Sequence, residues 1–123
     1  MTTIYELFHG TEGDNILGIL GQGAMRPNDD HQIYFSERFE DALQHGADER
    51  RRAAFAFKAR VTIPDGASVK RATKPGNPLT IIVTTVHPVP VAIEELHVRI
   101  PADEGFEYKL IKGAQPIRAF LLR

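Results

Sequence analysis

The clearest pattern of hydrophobic and polar positions runs through residues 53–63, where apolar side chains occupy every second position. The apolar set is Phe55, Phe57, Ala59, Val61 and Ile63, and it alternates with Ala54, Ala56, Lys58, Arg60 and Thr62. Because side chains on a strand point alternately to the two faces of a sheet, this period of two predicts a long strand with one buried face.

The first third of the chain predicts a strand, a helix, a second strand and a second helix. Residues 4–8 mix Ile, Tyr, Leu and Phe, as strands do. Residues 14–23 place Ile and Leu at helical spacing and end in glycines. A Pro-containing turn leads to a strand at 33–35, and a helix follows over 36–46.

The remainder is rich in predicted strands. We predict a short strand at 68–72, a loop at 73–78 and a β-branched strand at 79–86 that is buried on both faces. Residues 91–100 predict a strand, or a short helix followed by a strand. Residues 107–112 and 117–122 predict a closing hairpin around Gly113. The chain is therefore expected to be one α+β domain over 1–123, with both helices in its N-terminal half.

Composition narrows the class of protein. A chain of 123 residues with net charge −1 fits one globular domain without a strong field toward nucleic acid or membrane. Cysteine is absent, which excludes disulfides and thiolate chemistry. No apolar run reaches the length of a membrane span, and no basic-then-apolar leader opens the chain. We expect a cytoplasmic protein, or an effector delivered by another route.

Two short motifs carry candidate chemistry. Leu7-Phe8-His9-Gly10-Thr11 ends the first strand, and Gln32-Ile33-Tyr34-Phe35-Ser36 forms the second. With the helix between them, they resemble the ADP-ribosyltransferase superfamily, in the branch of diphtheria-type toxins and poly(ADP-ribose) polymerases. The resemblance is strong over residues 4–46 and weak afterwards. It implies two packed β-sheets with a cleft between them, and NAD as the substrate.

The resemblance implies roles for the first motif. His9 would bond a ribose hydroxyl of NAD, backbone groups of Gly10 would bind the nicotinamide amide, and Thr11 would complete this cofactor-binding stretch. Glycine suits close approach because it has no side chain. From its residue type alone, His9 can equally be a strand-end histidine held by backbone hydrogen bonds. Arg26 can reach a phosphate or serve only in the turn.

The second motif would hold the nicotinamide ring. Tyr34 would stack on it, and His45, near the end of the following helix, would cover its other side. Tyr34 can also be a simple cross-strand aromatic. Ser36 can bind the nicotinamide amide or cap the helix after it.

The family's third position is a glutamate that polarises the ribose and helps the glycosidic bond break. Matching residues 79–83 to that strand places Thr80 there, which can hydrogen-bond but carries no charge. Glu94 or Glu95 can supply the missing carboxylate or can face solvent. Arg50, Arg51 and Arg52 can bind pyrophosphate or form a solvated surface.

Three functions remain open. The first is an NAD-consuming transferase, similar to bacterial toxins and effectors, whose acceptor is a protein, a nucleic acid or water. The second is an RNA 2′-phosphotransferase, a group that also carries His-Gly-Thr but places a histidine on the second strand. The third is a non-catalytic domain that binds NAD or a partner. No metal site is predicted, because His31, His87 and His97 lack ligand spacing.

Overall fold

The fold is α+β: an antiparallel sheet with helices against it. The computed structural model describes residues 3–38, 42–43, 53–74 and 77–123. The elements within these ranges are β1 (Thr3–Gly10), α1 (Gly13–Gln22), β2 (Ala24–Met25), β3 (Gln32–Ser36), β4 (Ala54–Ile63), β5 (Ser68–Lys74), β6 (Asn77–Thr84), β7 (Val89–Pro101), β8 (Phe106–Lys112) and α2 (Ala114–Leu121).

The described strands form one connected sheet, where two separate sheets were expected. Its order is β2-β7-β4-β1-β3-β6-β5, every pairing is antiparallel, and β8 pairs with β7 on the side away from β4. The sheet is weakest in its middle, since β1 and β3 share the single pair Phe8↔Ser36. It therefore divides into a large wing (β2, β8, β7, β4, β1) and a small wing (β3, β6, β5).

β4 is the central strand of the large wing, and its predicted alternation is confirmed. It pairs with β1 over eight positions and with β7 over another eight. Phe57, Ala59 and Val61 are completely buried in the main core. That core also takes Ile33, Phe35, Ile81 and Val83 from the small wing, so both wings contribute to one hydrophobic cluster. We call this side of the sheet the main face.

The opposite side of the sheet, the second face, holds a smaller cluster. Ala42, Leu43, Ala54 and Ala56 are buried there, with Phe8 packed against them. Ala42 and Leu43 are helical, and the Ala42 N–H donates to Arg38 O at 3.2 Å. Residues 42–43 therefore agree with the predicted helix over 36–46, but its predicted start does not, since Ser36 ends β3 and residues 37–38 are not helical; residues 39–41 and 44–46 lie outside the described residues.

The first helix forms where it was predicted. Ile16 is completely buried, and Ile19 and Leu20 pack against the main core. Gly23 ends the helix with φ 66°, and its N–H donates to Ile19 O at 2.8 Å. A left-handed residue at this position suits glycine because there is no Cβ to clash.

The C-terminal prediction was wrong in its second half. Residues 106–112 form β8, but residues 114–121 form helix α2 and not a returning strand. Pro116 lies in the first turn of α2, where no intrahelical N–H bond is required of it. Ile117 is completely buried, and Phe120 and Leu121 pack beside it at helical spacing. The second helix described from end to end is therefore C-terminal.

Three other strand predictions need correction. The predicted loop at 73–78 is largely strand, since β5 and β6 pair up to Lys74↔Asn77. β6 is buried on one face: Ile81 and Val83 are buried, whereas Ile82 is partly exposed. The alternative of a short helix within residues 91–100 is not realised, because β7 is a strand from Val89 to Pro101, with a bulge at Glu94.

Candidate functional site

His9 connects the two wings. It is the last residue but one of β1, and its Nδ1 lies 2.7 Å from the carbonyl oxygen of Tyr34 on β3. Its ring packs on Phe35 and Phe57, with centroid distances of 5.8 Å and 5.5 Å. The imidazole therefore bridges β1 and β3 just beyond the one residue pair that joins them.

This bond determines what His9 can offer a ligand. A carbonyl oxygen only accepts hydrogen bonds, so Nδ1 must carry the proton. In the neutral ring the other nitrogen, Nε2, is then an acceptor, which is the partner that a ribose hydroxyl needs. The predicted alternative of a strand-end histidine held by a backbone hydrogen bond is therefore confirmed, and this bond orients the ring.

A groove begins at His9 and follows α1. Its volume is about 350 Å³, and we call it the α1 groove. It is lined by His9, Thr11, Asp14, Asn15, Gly18, Ile19, Gln22, Ala24, Met25 and Arg26. Three predicted cofactor-binding residues, His9, Thr11 and Arg26, are therefore brought together in one depression.

Six of the ten residues that line the α1 groove have polar side chains. Asn15 Nδ2 donates to Thr11 Oγ1 at 2.9 Å, which joins the first turn of α1 to the loop after β1. Arg26 follows β2 at the other end and is exposed. Asp14 contributes a carboxylate. Hydroxyl, amide and guanidinium groups in one depression can bind the hydroxyls and phosphates of a nucleotide.

Sequence reasoning missed Asp14, Asn15 and Gln22 as groove residues. A signal was present, since Asp14, Gly18 and Gln22 recur every four residues on α1. This spacing places small and polar side chains along one stripe of a helix. The stripe lies away from Ile16, the buried residue of α1.

Gly10 is the last residue of β1 and lies between the two parts of the predicted site. It pairs with Ala56 on β4, and the next N–H, that of Thr11, donates to Phe55 O at 3.2 Å. The glycine has no side chain to cover the backbone at this strand end. His9 lies on the main face beside this strand end, and Tyr34 lies on the second face.

Tyr34, Ser36 and Thr80 lie on the second face, not in the α1 groove. Directly opposed residues of paired strands point to the same face, and Phe8↔Ser36 and Ser36↔Thr80 are such pairs. Ser36 is buried between them, and Thr80 is partly exposed. Tyr34 is 43% exposed, and its hydroxyl donates to Gln32 Oε1.

The structure thus places His9, Tyr34 and Thr80 on three neighbouring strands, β1, β3 and β6. It does not place their side chains on one face, because His9 packs with Phe57 on the main face. The predicted site is therefore split at the junction of the wings. His45, the predicted stacking partner of Tyr34, lies outside the described residues, and so do the arginines 50–52.

Neither glutamate proposed as a substitute carboxylate lies in the α1 groove. Glu94 is 3.8 Å from Arg60, and Glu95 is 3.5 Å from His97 Nε2. Glu95 pairs with Lys58, which places it on the second face, four strands away from Thr80. With strands about 4.8 Å apart, this separation is roughly 19 Å. Glu95 therefore does not supply the charge that Thr80 lacks.

Two further findings concern metals and membranes. In the part of the chain that the structure describes, no three His, Asp or Glu side chains converge as metal ligands would. Within the same ranges, no helix combines the length and apolar character needed to span a bilayer.

No protein-family model, curated protein or solved structure matches this chain. The α1 groove and the junction of the wings are the features of the described residues that bear on function.

Proposed function

We propose that this domain binds NAD, with the ADP-ribose part in the α1 groove and the nicotinamide beside Gly10 and Tyr34. It would act as a transferase of the ADP-ribosyltransferase type, on an ADP-ribosyltransferase-like fold. The observation that carries the proposal is His9. His9 lines the α1 groove with Thr11 and Arg26, and it forms a hydrogen bond to the strand that presents Tyr34.

The size and chemistry of the α1 groove support this arrangement. A volume of about 350 Å³ is at the lower end for small-molecule sites, which suits one half of a dinucleotide. Arg26 can pair with pyrophosphate, while His9 Nε2 and the Thr11 hydroxyl can bond ribose hydroxyls. The nicotinamide half would extend past Gly10 at the end of β1 and meet the exposed ring of Tyr34.

The proposed reaction breaks the bond between the nicotinamide nitrogen and ribose C1′. Nicotinamide leaves with the bonding electrons, and an acceptor oxygen or nitrogen forms the new bond to C1′ and loses its proton to solvent. The acceptor is a macromolecule, protein or nucleic acid, or water. The positively charged sugar of the transition state gains most from a nearby carboxylate. Thr80 offers none, so we expect slow turnover.

The neutral Thr80 also favours a second candidate, an NAD-binding domain without turnover. An RNA 2′-phosphotransferase is less well supported, because β3 carries Tyr34 and Arg26 is the one arginine among the groove residues. Incubating the purified protein with NAD separates these functions. Nicotinamide release indicates the transferase, and NAD binding without release indicates the second candidate. Removal of a 2′-phosphate from added RNA would instead indicate the phosphotransferase and refute both.

Arg26→Gln tests the phosphate role. A hydrogen bond to a charged partner contributes about 1.5–3 kcal/mol, and solvent exposure reduces this, so we expect the Kd for NAD to rise roughly tenfold. Isothermal titration calorimetry measures it. Arg60→Gln is the matched control, because Arg60 is an exposed arginine on β4 whose neighbour is Glu94. Equal losses in both variants would remove Arg26 from the site.

Tyr34 tests the stacking role. Tyr34→Ala removes the ring and should weaken NAD binding about threefold to tenfold, whereas Tyr34→Phe keeps the ring and should change it less than about twofold. The Phe variant loses only the hydrogen bond to Gln32. Titrations are compared with melting temperatures, since Tyr34 belongs to β3 and its loss can also affect stability. If Phe is as damaging as Ala, the hydroxyl binds NAD and stacking is the wrong explanation.

A further inference from the structure

Strand β8 presents a row of exposed apolar side chains. Phe106, Tyr108 and Leu110 are 49%, 65% and 51% exposed, and they lie on one face because they are two residues apart. The Arg99 guanidinium stacks 4.5 Å from the Phe106 ring centroid and holds it in place. Three neighbouring apolar side chains are more than the isolated exposed leucine or phenylalanine that any protein surface carries.

β8 is also an edge of the sheet. It pairs with β7 along Phe106–Lys112, and no other described strand pairs with it. An edge strand presents unpaired N–H and C=O groups that can add another strand. The unpaired edge and the row of exposed apolar side chains therefore both lie on the seven residues of β8.

The sequence of β8 is complementary to itself. When two copies pair antiparallel about a twofold axis through Tyr108, each Glu107 faces Lys109 of the other copy. The same register places Phe106 against Leu110 of the other copy and the two Tyr108 rings against each other. Opposite charges and apolar pairs directly across two strands are stabilising, and like charges are not. Axes through Glu107 or Lys109 would instead oppose like charges.

We propose that this chain forms a homodimer by antiparallel β8–β8 pairing centred on Tyr108. The occupant of the edge is a second copy of the chain. The contact is isologous, as closed dimers require, and it extends the sheet across both subunits. It is independent of NAD binding, because β8 and the α1 groove share no residue.

The test uses sedimentation velocity over a range of concentrations. The wild-type chain should shift toward twice its mass of 13.7 kDa as concentration rises. Glu107→Lys and Lys109→Glu each create two like-charge pairs and should raise the dimer Kd roughly threefold to thirtyfold. An equal mixture of these two variants restores both opposite-charge pairs and should dimerise like the wild type. The mixture also shows that each variant is folded.

Lys70→Glu is the matched control, since it makes the same charge change at an exposed position of β5, the opposite edge of the sheet. It should leave the dimer Kd unchanged. Amide hydrogen exchange should show protection in residues 106–112 that increases with concentration. A wild-type chain that stays monomeric overturns the proposal. So does a dimer Kd that is unchanged by Glu107→Lys and Lys109→Glu, or a failure of the two mixed variants to associate.

Discussion

Phe57→Ala is expected to destabilise the domain by about 3–5 kcal/mol, the range for removing a buried aromatic ring from a core. Phe57 has no exposed surface, lies in the middle of the central strand, and contacts the His9 ring. The free energy of unfolding of a domain of this size is about 5–15 kcal/mol, so the loss is a large share of its stability. Urea unfolding followed by circular dichroism measures it.

Tyr5→Ala is the control for Phe57→Ala. It also removes an aromatic ring from a strand, but Tyr5 is 37% exposed on β1, so we expect a loss below about 1.5 kcal/mol. A Phe57→Ala variant as stable as Tyr5→Ala would contradict the placement of β4 at the centre of the core. Where Phe57→Ala remains folded, NAD affinity should also fall, because the His9 ring loses a neighbour that positions it.

Thr80→Glu is expected to accelerate nicotinamide release roughly tenfold to a hundredfold over the wild type. The new carboxylate would lie beside Ser36, on the face that carries Tyr34, and would stabilise positive charge on the ribose. Each 1.36 kcal/mol of such stabilisation is a factor of ten in rate. Thr80 is only partly buried, which lowers the cost of placing a charge there. Single-turnover release of nicotinamide measures the effect.

Two matched variants separate charge from position. The glutamine of Thr80→Gln is nearly the same size as the glutamate of Thr80→Glu but carries no charge, so this variant should not accelerate nicotinamide release. Thr84→Glu adds the same carboxylate on the same face of β6, four residues further along and opposite Gln32, and should also remain slow. A folded Thr80→Glu that is no faster than these controls would place the sugar elsewhere.

The local elements near the N-terminus could be predicted from the sequence for physical reasons. The period of two in β4 and the helical spacing in α1 are properties of neighbouring residues, and both elements form where expected. Thr11 and Arg26 were also predicted as ligand-binding residues, and both lie in the groove that follows α1. Each of these predictions depends on a short stretch of chain and on the side chains it carries.

Short apolar segments were less certain, because their pattern fits more than one element. Residues 117–122 were predicted as a strand, yet Ile117 and Leu121 also have helical spacing. Packing against the main core and α1 determines which is adopted. Similarly, Ala54 and Ala56 belong to the polar-or-small half of the β4 alternation, but both are buried beneath Ala42 and Leu43.

The arrangement of the candidate site was decided by tertiary structure alone. The sequence by itself determined that His9 ends one strand and that Tyr34 and Ser36 belong to another. Which sheet face each side chain occupies depends on pairing between β1, β3, β4 and β6, residues far apart in the chain. That pairing turns His9 toward Phe57 and Tyr34 toward the second face. A shift of one residue would reverse either assignment, because side chains alternate at every position of a strand.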